Sequence, residues 1–348
     1  MDRSPPASQV PPLPPYRLTV SSPGVDSPAK MKGTSMPRVR SRFASILASV
    51  ALAVAPAAAV ATISAGCGAS AQGLGGGIRR GGASDQAAYA AAVAAGDAAF
   101  ALRGDRAQLE LAISKYEEAV KYKDDDYVTY GKLARSCYLL ADGWLFFEKE
   151  SKAELFLATY EKGYTYAQRG MAALSPEVEQ RLAAGVDLKD AVSLLNKDAI
   201  ELLYWYATNL GKWGNAQDIT VVLTYKDRIY TIMEMVYKLD PQFFYGAADR
   251  YFGAYFSIAP SFAGGDLDRS WSHFQASMKI EPNYFANWNL IAEFYAPKKK
   301  DGALFDEMIA KVRNTPANII PAMEPEAMVE KRKAEELAKR KDAGEFPF

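Results

Sequence analysis

The sequence predicts an all-α fold, a solenoid of degenerate helical repeats interrupted by one insertion. Apolar residues recur at helical spacing along most of the chain after residue 85, and no segment has a convincing strand pattern. Helical patterns end repeatedly at a proline that follows a polar residue, at Ser175-Pro176, Asp240-Pro241, Glu281-Pro282 and Thr315-Pro316. Pro282 and Pro316 are 34 residues apart, which is the period of repeats built from paired helices.

One unit of this pattern is complete in residues 245–282. An aromatic helical segment precedes the loop of residues 260–265, whose proline and paired glycines do not continue a helix. Asp266 then stands at the N-cap position of a second helix, which ends at Pro282. Pro241 and Pro282 are 41 residues apart, and the excess over 34 matches the long loop.

The second helix of this unit carries the small–aromatic–small–proline pattern of tetratricopeptide repeats, at Ser270, Phe274, Ser277 and Pro282. An earlier segment keeps the same offsets with aspartate in place of proline, at Ala112, Tyr116, Ala119 and Asp124. We therefore expect four or five tetratricopeptide-like repeats, with a less regular insertion at residues 177–198. Such helix pairs bury their apolar faces only by stacking on their neighbours, which creates a concave surface.

The other helices follow from the same periodicity and from their end signals. Helical patterns are expected over residues 85–100, 106–122, 127–142, 144–174, 199–213, 219–239, 286–295 and 303–313. The segment 296–302 contains proline, three lysines and glycine, and it predicts a break between the last two of these helices.

Two segments at the start of the chain have a composition unlike that of the repeats. Residues 1–35 are rich in proline and serine, and they predict a disordered or mis-assigned extension, since Met31 and Met36 are alternative starts. Residues 36–67 combine arginines, an apolar stretch and small residues before Cys67, which is the pattern of a lipoprotein signal peptide. Cys67 is thus the predicted lipidation site, and an ordinary cleaved signal or a transmembrane anchor is the alternative.

The repeat domain is predicted to span residues 85–323, after a flexible glycine-rich linker at residues 68–84. Residues 324–348 form a charged, helical tail in which Ala327, Leu337 and Ala338 make a thin apolar stripe. We expect this tail to be a solvated terminal helix or a cap on the solenoid.

The composition argues against several classes of function. The chain has 41 basic and 41 acidic residues, so its charge gives no reason to expect binding to nucleic acid. Its two cysteines and one histidine do not supply the usual zinc ligands, and no glycine-rich phosphate loop is present. His273 is expected to pack or to lie at the surface, and Asp266 to cap its helix. We expect no metal site, no cofactor and no enzymatic activity.

The chain resembles the T component of TRAP transporters (tripartite ATP-independent periplasmic transporters), a lipoprotein family with cryptic tetratricopeptide repeats. The resemblance covers about residues 63–320. It rests on the lipoprotein start, the aromatic helix around Trp205 and Trp213, and above all the pair Tyr251 and Tyr255 followed by the sequence Ala-Gly-Gly-Asp at residues 263–266.

The resemblance implies a homotrimer with a channel through each protomer, which pairs with the periplasmic TRAP substrate-binding protein and passes a small hydrophobic ligand. The candidate channel residues are Trp205, Asn209, Trp213, Arg250, Tyr251 and Tyr255. For each, the alternative is a packing aromatic or a locally satisfied polar group. The implied location is a lipid anchor in the cell envelope, in the outer membrane facing the periplasm, because Gly68 rather than aspartate follows Cys67. A generic repeat scaffold for envelope assembly, with a groove open to solvent, is the alternative function.

Overall fold

The computed structural model describes residues 76–348, and all regular secondary structure in that part of the chain is helical. The predicted all-α repeat fold is confirmed. The predicted extension, the signal peptide with Cys67, and the first half of the glycine-rich linker lie outside the described residues.

Fourteen α-helices can be numbered along residues 76–348. They are α1 Gln86–Ala101, α2 Arg106–Tyr122, α3 Tyr127–Gly143, α4 Ala153–Leu174, α5 Pro176–Ala183, α6 Leu188–Ala191, α7 Ile200–Asn215, α8 Ile219–Leu239, α9 Phe243–Ile258, α10 Leu267–Ile280, α11 Phe285–Leu290, α12 Ala296–Lys299, α13 Gly302–Asn314 and α14 Glu324–Asp342. A π-helical segment, Ile291–Tyr295, joins α11 to α12, and short 3₁₀ turns occupy several of the connections.

Most of these helices form successive pairs. Helix α1 packs on α2, α3 on α4, α7 on α8, and α9 on α10, while the continuous α11–α12 rod packs on α13. The short helices α5 and α6 form the insertion between the second and third pairs, where the sequence is least regular. Aspartate side chains accept backbone N–H groups at the first turn of several helices, at Asp85, Asp105, Asp126, Asp187, Asp218, Asp266 and Asp301.

Two of the expected helix boundaries are wrong. Residues 144–174 are not one helix, because a 3₁₀ turn at Leu145–Glu148 and a bend precede α4, which begins at Ala153. The expected break at residues 296–302 is shorter, because the chain stays helical through Pro297 and turns at Lys300. A proline lacks the N–H that an α-helix needs, and the wider π turn directly before Pro297 is a known way to relieve that mismatch.

The buried apolar side chains form two clusters. The larger cluster runs from α1 to α9 and contains the fully buried Tyr116, Tyr160 and Trp205. The smaller cluster lies between α10, the fifth pair and the C-terminal helix, around Phe305 and Leu337. Stacking of neighbouring pairs therefore supplies the core, as the repeat pattern predicts.

Helix α14, in the predicted tail, packs along both α11 and α13 and also reaches α3. Its first turn is tied to the start of the array, because Glu326 forms ion pairs with Arg103 at 2.9 Å and with Arg135 at 3.1 Å. Ala334 and Leu337 of this helix are buried. The charged tail thus bridges the first and last helix pairs.

The segment before α1 also contacts the domain. The Arg80 guanidinium donates to the carbonyls of Ala172 and Ala173, both at 2.8 Å, and pairs with Glu179 at 2.6 Å. These carbonyls belong to the last turn of α4, where a cation is favoured by the helix dipole. From Ile78 onward, the predicted linker is therefore held against α4 and α5.

Candidate ligand cavity

A cavity of ≈ 860 Å³ lies between α3, α4, α7, α8, α9, α11 and α14. Most of its surface is apolar, and many of the lining side chains are aromatic. This volume and this lining are typical of sites that enclose a small organic ligand. Helix α14 contributes one wall, so the site depends on the C-terminal segment as well as on the repeats.

The aromatic wall is centred on Trp205 of α7. Its ring lies 4.7 Å from that of Tyr204, 5.3 Å from that of Tyr138 and 5.3 Å from that of Phe244, with interplanar angles between 44° and 74°. Edge-to-face and tilted contacts of this kind favour one fixed arrangement of rings. The wall is therefore built from α3, α7 and the start of α9 together.

Arg250 of α9 lines the cavity and is only 5% exposed. Its guanidinium donates to the carbonyl of Tyr245 at 3.0 Å and to that of Phe244 at 3.3 Å, and it lies 4.2 Å from the ring centre of Tyr284. Phe244, Tyr245 and Gly246 all have left-handed backbone angles, with φ of 43°, 60° and 72°. Left-handed non-glycine residues are strained by about 1 kcal/mol each, and such strain clusters at functional sites.

Tyr251 and Tyr255 lie one turn apart on α9, with stacked rings 5.9 Å apart, and both line the cavity. The loop after α9 also reaches the cavity, at Pro260 and Ala263. Gly264 has a φ of 94°, and a Cβ on Gly265 would lie 1.8 Å from the carbonyl oxygen of Ala259. The paired glycines are therefore required by the backbone of this loop.

Two of the six candidate channel residues do not line the cavity. Asn209 is fully buried behind the wall, where its amide nitrogen donates to the carbonyls of Ala134 at 3.1 Å and Trp205 at 2.7 Å. Trp213 packs edge-on against Tyr164 and Tyr225 instead. The structure brings Trp205, Arg250, Tyr251 and Tyr255 together and leaves these two outside.

The polar part of the lining is a buried charge cluster around Asp142 of α3. This carboxylate pairs with Lys212 at 2.9 Å and with Lys333 of α14, and it accepts a hydrogen bond from Tyr160 at 3.2 Å. Burial alone would raise the pKa of Asp142, but the two lysines outweigh burial and hold that pKa well below its usual value. Asp142 is thus ionised at neutral pH and ties α14 to the repeats.

Sequence reasoning missed Asp142, Tyr284 and the place of α14 in the cavity wall, although a cap on the solenoid is one of the two expectations for this tail. The available signal was the spacing of Glu326, Glu330 and Lys333, which places these three charges on one face of a helix beside Ala327 and Leu337. A charged face normally indicates solvent, and here it instead meets complementary charges on α3 and the α1–α2 connection.

Outside the cavity, the residues that could take part in chemistry cap a helix or are buried by packing. Asp266 accepts the N–H groups of Asp268 and Arg269, as expected of an N-cap. His273 stacks on Phe256 with ring centres 5.6 Å apart and contacts Asp249 at 2.7 Å. Burial raises the pKa of the Cys137 thiol to about 12. Within residues 76–348, no group of three or more His, Cys, Asp or Glu side chains is placed to hold a metal ion.

Comparison with known proteins identifies a family to which most of this helical domain is similar. A family model described as TRAP transporter T-component matches residues 146–344, which extend from the turn before α4 to the end of α14. The chain belongs to the TRAP transporter T-component family. No curated protein matches the chain. The T component is an accessory component of a TRAP transporter system and is associated with the cell envelope; the family is not a class of enzyme. None of the helices within residues 76–348 is long and apolar enough to span a membrane.

Proposed function

We propose that this T component is a lipid-anchored, periplasm-facing protein that docks the TRAP substrate-binding protein and shelters a small apolar ligand in its aromatic cavity. The observation that supports the ligand is the ≈ 860 Å³ cavity, whose apolar and aromatic lining spans most of the helix pairs. A protein that served only as a peptide scaffold would need an open groove, whereas here α14 packs against α3, α11 and α13 and forms one wall of the cavity. The anchor is Cys67, and the assembly is a homotrimer as the family resemblance implies.

We place the docking surface at the loop between α9 and α10. Phe262 at its tip is 91% exposed, although a large aromatic side chain gains free energy when it is removed from water. Its neighbours Pro260 and Ala263 line the cavity. A partner bound at Phe262 would therefore sit beside the ligand, which is the arrangement that a transfer between the two proteins requires.

The test is recovery of an identified TRAP substrate-binding protein from native membranes after mild crosslinking to the full chain. We expect recovery with the wild type and a loss of at least tenfold with Phe262→Asp. Leu111→Asp is the matched control, because Leu111 is also an exposed apolar residue, on α2 away from the cavity. No substrate-binding protein in the wild-type sample would contradict the proposed pairing, and equal recovery with Phe262→Asp would exclude this loop as the surface.

The remaining parts of the proposal have separate measurements. Mass spectrometry of organic extracts from the purified protein should find a co-purifying apolar compound, and analytical ultracentrifugation should give three times the protomer mass. Partner recovery without any bound compound would instead favour the generic scaffold function for envelope assembly.

A further inference from the structure

The cavity contains a buried positive charge that no carboxylate of the described residues neutralises. Arg250 is 5% exposed, and none of the ion pairs formed within residues 76–348 includes it. A guanidinium remains protonated at any physiological pH. Burying such a charge without a counter-ion is costly, so proteins normally pair it.

Three other cations that line the cavity are paired, although they are more exposed than Arg250. Lys333 contacts Asp142 and Glu330, and Lys212 contacts Asp142. Arg340 contacts Glu293 at 3.0 Å and Glu345 at 2.9 Å. Acidic residues are thus available along the cavity, and yet none of those within residues 76–348 pairs with the buried Arg250.

The surroundings of Arg250 compensate its charge only in part. Its guanidinium donates to two backbone carbonyls and weakly, at 3.5 Å, to the Tyr204 hydroxyl, and it stacks on Tyr284. These are dipoles and a ring quadrupole, which orient the cation without neutralising it. Three bonds leave two of the five guanidinium N–H groups for a further acceptor. The left-handed backbone at Phe244 and Tyr245 supplies both carbonyls, so this strained turn fixes the orientation of Arg250.

We infer that the ligand of this cavity is an amphipathic carboxylic acid, whose carboxylate pairs with Arg250 and whose apolar chain lies along the aromatic wall. A guanidinium forms strong, charge-assisted hydrogen bonds to a carboxylate, and the Nε–H and the second Nη1–H of Arg250 remain as donors for one of its oxygens. One unpaired cation suits a monoanion, whereas a phosphate monoester would call for a second one. This inference rests on the proposed ligand-binding function and narrows its ligand to one chemical class.

The test uses the full chain in lipid nanodiscs, with empty nanodiscs as the blank, and isothermal titration calorimetry with decanoate, 1-decanol, decyl phosphate and acetate. Decanoate should bind, and acetate, which lacks the apolar chain, should bind at least tenfold more weakly. Arg250→Gln should weaken decanoate binding at least tenfold and change 1-decanol binding less than threefold. Arg250→Lys should retain part of the decanoate affinity, and Arg181→Gln, which removes a surface charge outside the cavity, should leave it unchanged.

The outcomes separate this inference from the proposed function. Equal decanoate affinity in the wild type and Arg250→Gln would overturn the carboxylate assignment while an apolar site remained. Tighter binding of decyl phosphate than of decanoate would overturn it in favour of a phosphate ligand. No binding of any ten-carbon probe would count against both proposals. If Arg250→Gln fails to fold, the wild-type comparison of decanoate with 1-decanol and the Arg250→Lys variant decide the question.

Discussion

Gly163 on α4 leaves the space that the Asn209 side chain on α7 occupies. A Cβ atom at residue 163 would lie 2.2 Å from Oδ1 and 2.4 Å from Cγ of Asn209. Asn209 cannot turn away, because it is fully buried and its amide nitrogen bonds to the carbonyls of Ala134 and Trp205. This close approach locks the second and third helix pairs behind the aromatic wall of the cavity.

We expect Gly163→Ala to lower the free energy of unfolding by about 1–3 kcal/mol, the usual cost of overpacking a buried site. In an Asn209→Ala background the same change should cost less than about 0.5 kcal/mol, because the clash is gone. Chemical denaturation of the four proteins of this double-mutant cycle measures the coupling. Gly211→Ala is the control: its Cβ meets only Ile229, at 3.9 Å, so it should raise stability by about 0.5–1 kcal/mol. Additive effects of the two substitutions at 163 and 209 would contradict the proposed contact.

A substitution at Gly265 tests whether the loop that carries Phe262 needs its observed backbone conformation. Gly265→Ala places a Cβ against the backbone carbonyl of Ala259, and backbone atoms cannot rotate away as a side chain does. The loop should shift and lose the bond from Gly265 N–H to the Pro260 carbonyl, now 2.9 Å. We expect a loss of about 1–3 kcal/mol in unfolding free energy and weaker partner recovery in the crosslinking assay. Wild-type recovery and stability would show that the loop does not need a glycine there.

The Asp142–Lys333 pair predicts a pH-dependent attachment of α14. The folded-state pKa of Asp142 is lowered below its unfolded value of about 3.9. Its stabilising contribution is therefore complete at neutral pH and is lost as the pH falls below about 4 toward the folded-state pKa. Hydrogen exchange of the α14 amides should accelerate over this range.

Asp142→Asn should produce the same acceleration at neutral pH and lower the unfolding free energy by about 3–5 kcal/mol, because two lysines lose their buried counter-ion. Asp190→Asn is the matched control, since its pair with Lys189 is at the surface and should change stability by less than about 0.5 kcal/mol. Unchanged α14 exchange in Asp142→Asn would mean that apolar contacts alone hold the helix.

Cys67 should carry the lipid anchor. Metabolic labelling with radioactive palmitate should mark the wild-type protein and sediment it with membranes, whereas Cys67→Ser should be unlabelled and leave the membrane fraction. Cys137→Ser should keep the label, because Cys137 is buried in α3 and not accessible to a lipid transferase. Label that persists in Cys67→Ser would refute the predicted site.

Local pattern was sufficient to predict the repeat architecture. The Asp266 cap and the end of α10 before Pro282 are dictated within a few residues, by hydrogen bonding at the first turn and by the missing N–H of proline. The predicted bounds of α8, residues 219–239, agree with the observed ones, because the Asp240-Pro241 signal that ends this helix is also local. The predicted helix break at Pro297 is wrong, because whether a helix ends or widens into a π turn at a proline depends on its neighbours in space.

The candidate residues show the same limit. Four of the six candidate residues line one cavity, as expected: Trp205, Arg250, Tyr251 and Tyr255. The other two, Asn209 and Trp213, lie on α7 like Trp205 but contact other neighbours. The sequence of a helix shows which residues share a face, but it does not show what each face will contact. Which face borders an empty space is decided by the helices packed around it.

The sequence by itself determined the helices, their pairing period, the glycine loop and the family resemblance, because each follows from residues that are close along the chain. The tertiary structure alone decided that α14 forms a wall of the cavity and that Arg250 lies in it without a carboxylate partner among residues 76–348. Both facts depend on contacts across long separations, such as Asp142 with Lys333, which are 191 residues apart. The local spacing places Lys333 on a charged helix face, but it does not show which distant residue that face will meet, so the same lysine would be interpreted as a solvated surface residue in an isolated helix.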